Sequence, residues 1–181
     1  MLFQDLSKAY DRVNLNMLEL SLKRIKLPQN LVNFILNLFM KRTNRIIGHF
    51  GLTDPYQVFI GIDQGEVISP LLWTIYYDPL LKEINDRVNT IGYQISHSWR
   101  PDLSKSDITT VKCSIASQAY MDDTTWISNS KEHLESILTI ADDFYTLNNI
   151  KVNKKKSYMA IRITTKLTYQ RLIYVLEMII F

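Results

Sequence analysis

The sequence of 181 residues contains a single cysteine, Cys113, so an internal disulfide is excluded and a reducing compartment is expected. It also lacks any apolar run near the roughly 18 residues that a membrane span requires. The first residues, MLFQDLSKAYD, do not have the basic-then-apolar layout of a signal peptide. These absences predict an intracellular protein with no membrane partner, and they do not distinguish nucleus from cytoplasm.

A strong net charge is missing as well. Lys and Arg number 21 against 18 Asp and Glu, and the net charge of +3 permits a polyanionic partner without requiring one. The basic residues are unevenly spread, with six and no acid between Lys23 and Arg45, and three more at residues 154–156. Each cluster is either a nucleic-acid surface or a solvated face. Hydrophobic residues make up 46% of the chain, enough for the core of one domain.

The hydrophobic pattern predicts strand, two helices, hairpin, helix, hairpin, helix and strand, in that order. Asn14 is expected to cap the first helix, and Ser130 the last. RIIGHFG and YQVFIG are expected to be two strands of one hairpin. This order predicts an α+β fold with helices on one face of an antiparallel sheet. In the second helix the residues expected to face inward are Leu31, Phe34, Ile35 and Leu38.

Two adjacent acids, Asp122 and Asp123, interrupt the stretch QAYMDDTTWI. Charged side chains seldom lie in such a stretch without compensation. The flanking segments VKCSIASQAY and TTWIS predict the arms of a hairpin with the acids at or beside its turn. Carboxylates held so close repel each other, and a divalent cation supplies the missing positive charge. With Asp5 from a neighbouring strand, such a pair could hold the two ions of two-metal phosphoryl transfer.

A structural interpretation of the same acids is also open, because Asp is common in turns for its hydrogen bonds to the backbone. The sequence supplies a second pair for comparison in ADDFYT, where Asp142 and Asp143 follow a helical pattern and need only be solvated. The residues alone leave both interpretations standing.

Four segments resemble the palm motifs of reverse transcriptases, in the family's order and at similar separations: FQDLSKAYDRV, GIDQGEVISPLL, YMDD and NNIKVNKKKS. The first is most similar to the non-LTR retrotransposon type, which usually has Asp-Leu-Ser-Lys-Ala-Phe-Asp. The resemblance covers residues 2–161. It implies a polymerase palm with an antiparallel sheet of about four strands and helices packed on one face.

The resemblance also implies roles for the matching acids and for one lysine. Asp5 and Asp122 would bridge two Mg²⁺ ions, for which Mn²⁺ can substitute, and Asp123 would support them. Asp5 and Asp122 are therefore expected on adjacent strands. Lys156 would protonate the pyrophosphate leaving group or relieve its charge, unless it is simply a solvated lysine.

Three further residues would bind substrate. Tyr10 corresponds to the bulky residue that excludes a ribose 2′-hydroxyl by a steric clash, unless its ring instead fills the core. Gln64 and Gly65 would lie along the incoming nucleotide and the template, although a glycine there is also ordinary turn chemistry.

The match departs from the family in places. Asn149 stands where Gly is usual, and Met121 where the non-LTR type more often has Ala. The family has a fingers region before the first motif and a thumb after the fourth, whereas this sequence opens on the first motif. Residues 1–163 are thus expected to be the palm, and residues 164–181 an apolar tail of unknown role. The isolated chain is expected to be weakly active or inactive.

The implied activity is RNA-directed DNA polymerisation, a nucleotidyl transfer to a primer 3′-hydroxyl. Its partners would be an RNA template, a DNA primer and deoxynucleoside triphosphates. One alternative is an inactive retroelement remnant that at most binds nucleic acid. Another is a metal-dependent nuclease built on the same carboxylates, which gives no role to Tyr10 or Gln64.

Overall fold

A computed structural model describes residues 1–101, 108–163 and 172–177, the last six and residues 162–163 by their backbone alone. The predicted loop of residues 98–110 and the predicted tail of residues 164–181 therefore lie partly outside the described residues. No helix within the described ranges is both long and apolar enough to cross a membrane.

The described chain is a mixture of helices and antiparallel strands, which confirms the predicted α+β class. The helices are α1 (Leu15–Arg24), α2 (Gln29–Phe39), α3 (Ser69–Asp86), α4 (Val88–Ile91) and α5 (Lys131–Asn148). The strands are β1 (Leu2–Ser7), β2 (Arg42–Asn44), β3 (Ile47–Gly48), β4 (Gly51–Leu52), β5 (Tyr56–Val58), β6 (Tyr93–Trp99), β7 (Thr109–Ile115), β8 (Ser117–Tyr120), β9 (Asp123–Trp126), β10 (Lys151–Val152), β11 (Tyr158–Ile163) and β12 (Leu172–Glu177). Short 3₁₀ turns cover Tyr10–Arg12 and Lys154–Lys156.

The chain folds into two compact units. The sheet unit consists of Met1–Asp5, Leu80–Asp143 and Val152–Phe181. The aromatic unit consists of Leu6–Pro79 and Phe144–Lys151, and is so called for the rings in its core.

The main sheet has the strand order β12-β11-β1-β9-β8, with β10 also paired to β1. The four strands expected of a palm are present as β11, β1, β9 and β8. The sheet is larger than predicted because of two further strands: β10, and β12, which lies in the predicted tail and pairs with β11 along its whole length. β1 occupies the centre of this sheet.

Side chains of the central strands alternate between a buried and an open face, as the two-residue period of a strand requires. On β1 the buried members are Leu2, Gln4 and Leu6, and on β9 they are Thr124 and Trp126. Polar groups in this buried layer are paired, because the Trp126 indole N–H donates to the Gln4 side-chain oxygen. Asp5 and Asp123 belong to the other, less buried face.

The predicted first arm of the acid hairpin is divided into two strands. β7 pairs with β6, whereas β8 pairs with β9, and the break falls at Ala116. Ala116 is buried, and its carbonyl accepts a hydrogen bond from the Ile127 amide at 2.8 Å. A continuous β-rich sequence could not reveal this change of partner, because both halves have the same local propensity.

The predicted N-caps of the first and last helices are confirmed. The Asn14 side chain accepts hydrogen bonds from the amides of Asn16 and Met17 at the start of α1. The Ser130 hydroxyl likewise accepts from the His133 amide at the start of α5. Both caps satisfy amides that have no partner inside the helix.

The predicted inward face of α2 was wrong except at Ile35. The buried residues are Val32, Ile35, Leu36 and Phe39, and the exposed ones include Leu31, Phe34 and Leu38. Apolar residues surround this helix on most sides, so the sequence periodicity did not single out one stripe. The helix therefore presents a second apolar face, with Phe34 60% exposed.

The sequence predicted one strand in the segment RIIGHFG, and this prediction was wrong. Within the described residues, β3 and β4 pair with each other across the turn at Gly48–Gly51. The flanking strands β2 and β5 also pair with each other. The two predicted strands are thus replaced by one hairpin inside another, because glycines at positions 48 and 51 allow the chain to reverse earlier.

Stacked rings form the core of the aromatic unit. Trp73 stacks on Tyr77 with a centroid separation of 5.3 Å, and Tyr77 stacks on Tyr145 at 6.5 Å. The two tyrosine hydroxyls share a buried hydrogen bond of 2.7 Å. Burial, together with the neighbouring Tyr77, raises the pKa of Tyr145 well above its usual value.

Candidate active site

The acid pair lies at the tip of the β8–β9 hairpin, as the sequence predicted. Tyr120 pairs with Asp123, so Met121 and Asp122 form a two-residue turn between the strands. Met121 has a φ of 54°, in the left-handed region that glycine usually occupies in such turns. A tight turn of this kind fixes the backbone positions of both acids.

The strand register brings Asp5 directly opposite Asp123. Residues so paired have Cβ atoms roughly 4.5 to 5.5 Å apart, and both side chains lie on the same face. The sequence expectation placed Asp122 on the adjacent strand, but Asp122 is in the turn and Asp123 is the cross-strand partner. The motif spacing did not decide this, because it left the start of β9 uncertain by one residue.

The opposed carboxylates suit a hard cation by their chemistry. Mg²⁺ takes oxygen ligands and is often bound by one or two carboxylates together with substrate phosphates. Within the part of the chain that the structure describes, no three acidic, histidine or cysteine side chains stand close enough to form a metal cage. The arrangement therefore fits a site of two carboxylates that a substrate completes, and the three-acid ligand set stays a prediction.

A lysine shares the pocket of the opposed acids. The pocket has a volume of about 220 Å³, and its lining includes Asp5, Asp123 and Lys156. Lys156 ends the 3₁₀ turn of residues 154–156, and its amide donates to the Asn153 carbonyl at 3.0 Å. Two of the three predicted acids and the predicted lysine thus line one pocket.

Sequence reasoning missed the residue that holds Asp5. The Asn153 side-chain amide donates to Asp5 Oδ2 at 2.8 Å, and the Asn153 backbone amide donates to the Asp5 carbonyl at 2.8 Å. The residue does lie within the segment NNIKVNKKKS that resembles the fourth palm motif. The signal was therefore present, but only the tertiary contact assigns Asn153 to Asp5.

Tyr10, in the aromatic unit, is half-buried, and its ring lies 5.9 Å from that of the buried Trp73. Its backbone carbonyl accepts a hydrogen bond from the Ile62 amide at 3.0 Å. The ring is therefore anchored at the edge of the aromatic core, with part of its surface accessible. This position is compatible with both interpretations of Tyr10 that the sequence left open.

The loop that carries Gln64 and Gly65 begins from a firmly held segment. Arg42 donates to the carbonyls of Ile60 and Gly61 at 3.1 and 2.9 Å and forms an ion pair with Asp63. The Gly61 amide donates to the Val13 carbonyl, and a Cβ at Gly61 would lie 2.8 Å from the Asp11 carbonyl oxygen. Close approach of the two segments therefore requires glycine at position 61.

Gln64 and Gly65 themselves are exposed. Gly65 has a φ of 105°, which side-chain-bearing residues rarely adopt, although no described atom lies within 4 Å of an added Cβ. The need for glycine at position 65 is therefore conformational, and the space beside it is open.

Half of the first basic cluster is paired with acids. Lys23 contacts Glu19 at 2.7 Å, and Arg24 and Arg42 form ion pairs with Asp78 and Asp63. Half of its six cations therefore have local structural partners. The solvated-face interpretation gains support for these three residues.

Solved structures with a similar fold include telomerase from Candida Tropicalis in a complex with a fragment of telomeric RNA. That structure has a TM-score of 0.58 and 16% sequence identity, over 86% of this chain and 25% of the other. The apo telomerase from the same organism, truncated from its C-terminal domain, has a TM-score of 0.53 and 17% identity, over 93% and 31%. The chain thus spans about a quarter to a third of these telomerases, and the likeness shows a shared fold.

The family follows from the sequence itself. Residues 1–174 match the family described as reverse transcriptase (RNA-dependent DNA polymerase), so the chain belongs to that family. Among curated proteins no sequence match is found.

Proposed function

We propose that this chain is the catalytic palm of a reverse transcriptase of the non-LTR retrotransposon type. The reaction is the template-directed transfer of a deoxynucleotide to a primer 3′-hydroxyl, with release of pyrophosphate. Its partners are an RNA template, a DNA primer and deoxynucleoside triphosphates. The observation that carries the proposal is the opposed pair of Asp5 and Asp123 in a pocket shared with Lys156, in a member of this family.

The three acids hold the ions in this proposal. Asp5 and Asp122 would hold two Mg²⁺ ions, and Asp123 would support them. Two Mg²⁺ ions, when bound, activate the primer hydroxyl and stabilise charge on the transferred phosphoryl group. The chain's own contribution is to hold acidic oxygens at fixed positions on a hairpin whose backbone is determined by the β1–β9 register.

Lys156 has the complementary charge in the same pocket. Its ammonium group can donate a proton to the leaving pyrophosphate or stabilise its negative charge. Because Lys156 is exposed, its side chain can reach a ligand that occupies the pocket. In this proposal the lysine acts on the leaving group, while the acids hold the ions.

Tyr10, Gln64 and Gly65 bind the nucleotide and template in this proposal. Tyr10 excludes the ribose 2′-hydroxyl, while the Gln64 amide and the bare backbone at Gly65 lie along the substrates. Tyr10→Ala should raise ribonucleotide incorporation relative to deoxynucleotide incorporation, and Tyr10→Phe should not. Equal losses with both sugars in Tyr10→Ala would favour the core-filling role.

Primer extension on an RNA template with Mg²⁺ tests the proposed reaction. The assay should use the longest chain that the gene encodes, whether or not it exceeds residues 1–181, beside its Asp122→Asn variant. We expect extension by the parent chain and none above background by the variant. Equal extension by both would remove Asp122 from the chemistry, and absence of extension by both would favour the inactive remnant.

Residues 1–181 alone should extend a primer weakly. Positioning of the reactants can lower the barrier of such a reaction by roughly 7 to 11 kcal/mol. It requires that the protein hold the primer-template as well as the ions. With a net charge of +3 the chain should bind primer-template weakly and release it as salt rises. Efficient extension by residues 1–181 at physiological salt would contradict this expectation.

A further inference from the structure

The turn formed by residues 153–157 makes three hydrogen bonds with Asp5. The Asn153 backbone amide donates to the Asp5 carbonyl, and its side-chain amide donates to Asp5 Oδ2, both at 2.8 Å. The Asp5 amide donates to the Ser157 hydroxyl at 3.4 Å, and that hydroxyl donates to the Asn153 carbonyl at 2.9 Å. Two residues therefore bind the backbone and the side chain of a single acid.

These contacts add to the strand pairing of β1. β11 pairs with β1 at Leu2 and Phe3, and at Asp5 the Asn153 amide and the Ser157 hydroxyl bond to the backbone. The backbone amide of Asn153 is sufficient for that purpose. The additional bond from its side chain serves the carboxylate, since any residue except proline could supply the backbone donor.

A neutral amide is a suitable partner for a carboxylate that must bind a cation. It fixes the side-chain torsions and occupies one oxygen, but it does not cancel the negative charge as Lys or Arg would. No bond to the other oxygen, Oδ1, is found among the described residues. Asp5 therefore keeps its charge and one oxygen for a ligand in the pocket that it shares with Asp123.

We infer that Asn153 is a positioning residue for the proposed site, which holds the Asp5 carboxylate in the orientation that binds the cation. This inference rests on the proposed function. Asn153 also fixes the start of the turn that carries Lys156, because its carbonyl accepts the Lys156 amide. Asn153 thus sets the positions of Asp5 and Lys156, which line the same pocket.

The first measurement tests the orientation without any metal or activity. Three-bond NMR couplings of Asp5 in the whole chain should report a single χ1 rotamer in the parent protein. They should report rotamer averaging in Asn153→Ala and in Asn153→Asp, which has nearly the same shape but no side-chain donor. Ser157→Ala is the matched control, because it removes backbone contacts of the same turn and leaves the carboxylate bond. Unchanged couplings in both Asn153 variants, or equal averaging in Ser157→Ala, would overturn the inference.

The second measurement tests the consequence for the cation. Mn²⁺ alone is the probe, and its binding is followed by water-proton relaxation. Loss of a group that orients a metal ligand typically weakens affinity by about 10- to 100-fold, and we expect such a loss in Asn153→Ala. Ser157→Ala, tested at a temperature where both variants are folded, should bind Mn²⁺ within about twofold of the parent.

The two measurements separate the inference from the function on which it rests. If Asp5→Asn and Asp123→Asn leave Mn²⁺ binding unchanged, the proposed metal role of the acids fails, while the coupling data still decide whether Asn153 orients Asp5. If those acids prove necessary and Asn153→Ala binds Mn²⁺ normally, the positioning role is wrong and the metal role stands.

Discussion

The chain has two Asp-Asp pairs, which differ in the secondary structure that carries them. Asp122 and Asp123 lie at a hairpin tip, where the register sets Asp123 opposite a third acid, Asp5. Asp142 and Asp143 lie within α5, both exposed, with no charged residue three or four positions away on either side. Identical residue pairs thus have an opposed like charge on one element and an exposed position on the other. The difference shows that local sequence identifies an acid pair, whereas strand pairing gives it a partner.

The largest expected difference between the pairs is in catalysis. Under the proposed function, Asp122→Asn should lower the rate of primer extension by about 100-fold or more, the scale on which removal of one electrostatic stabiliser acts. Asp142→Asn should leave the rate within about twofold of the parent. Single-nucleotide addition at saturating Mg²⁺ measures both. Similar rates for the two variants would erase the functional contrast.

Cation affinity should separate the pairs next. Replacement of Asp123 by Asn removes one of two opposed carboxylates and should weaken Mn²⁺ binding several-fold, since each ligand oxygen contributes to a site of low ligand number. Asp143→Asn removes the same charge from the helix and should have little effect. Calorimetric titration with Mn²⁺ checks this. Equal weakening in both variants would mean that only the overall charge attracts the ion.

The helix α5, which carries the exposed pair, should also make the stability of the chain depend on alkaline pH through Tyr145. The pKa of the Tyr145 hydroxyl is raised by burial and by Tyr77, so the folded chain holds a proton that the unfolded chain loses near its ordinary pKa of about 10. Stability from this tyrosine is fully present below about pH 10 and is lost as the pH rises toward the folded pKa. Denaturant unfolding from pH 8 to 11 should show this decline, and Tyr145→Phe should reduce its slope. The exposed Tyr120, replaced by Phe, is the control and should leave the slope unchanged.

The smallest expected difference is in stability without divalent cations. Like charges directly opposite each other on paired strands are destabilising by roughly 0.2 to 1 kcal/mol. Asp123→Asn should therefore raise the free energy of unfolding by about that amount when a chelator is present. Asp143→Asn, which has no opposed acid, should leave it unchanged. A loss of stability in Asp123→Asn would indicate that its carboxylate has a structural partner.

The parts of the fold that local patterns determine were predicted from the sequence. The caps at Asn14 and Ser130 and the turn at Asp122 each depend on residues within a few positions. The prediction of the buried face of α2 was wrong because that helix is apolar on most sides. The division at Ala116 was missed because it depends on which distant strand is available, and propensity does not encode that choice.

The candidate site divides in the same way. Asp5, Asp123 and Lys156, which line one pocket, were singled out because their motifs are short and distinctive, and the role of Asp122 stays a prediction. The pairing of Asp5 with Asp123 could be assigned only from the sheet register, because a shift of one residue would place side chains on the opposite face of the sheet. The contact between Asn153 and Asp5 joins residues 148 positions apart, so only the folded chain reveals it.

The central place of β1 in the sheet has a consequence for biosynthesis. The three strands that pair with it, β9, β10 and β11, all emerge from the ribosome more than a hundred residues after it. At roughly 5 to 20 residues per second, β1 must wait on the order of ten seconds for its first partner. During that interval its apolar residues and its unpaired backbone are available to chaperones or to other nascent chains. The strand that carries the first acid of the site is therefore made well before its partners and is among the last segments of this sheet that can fold.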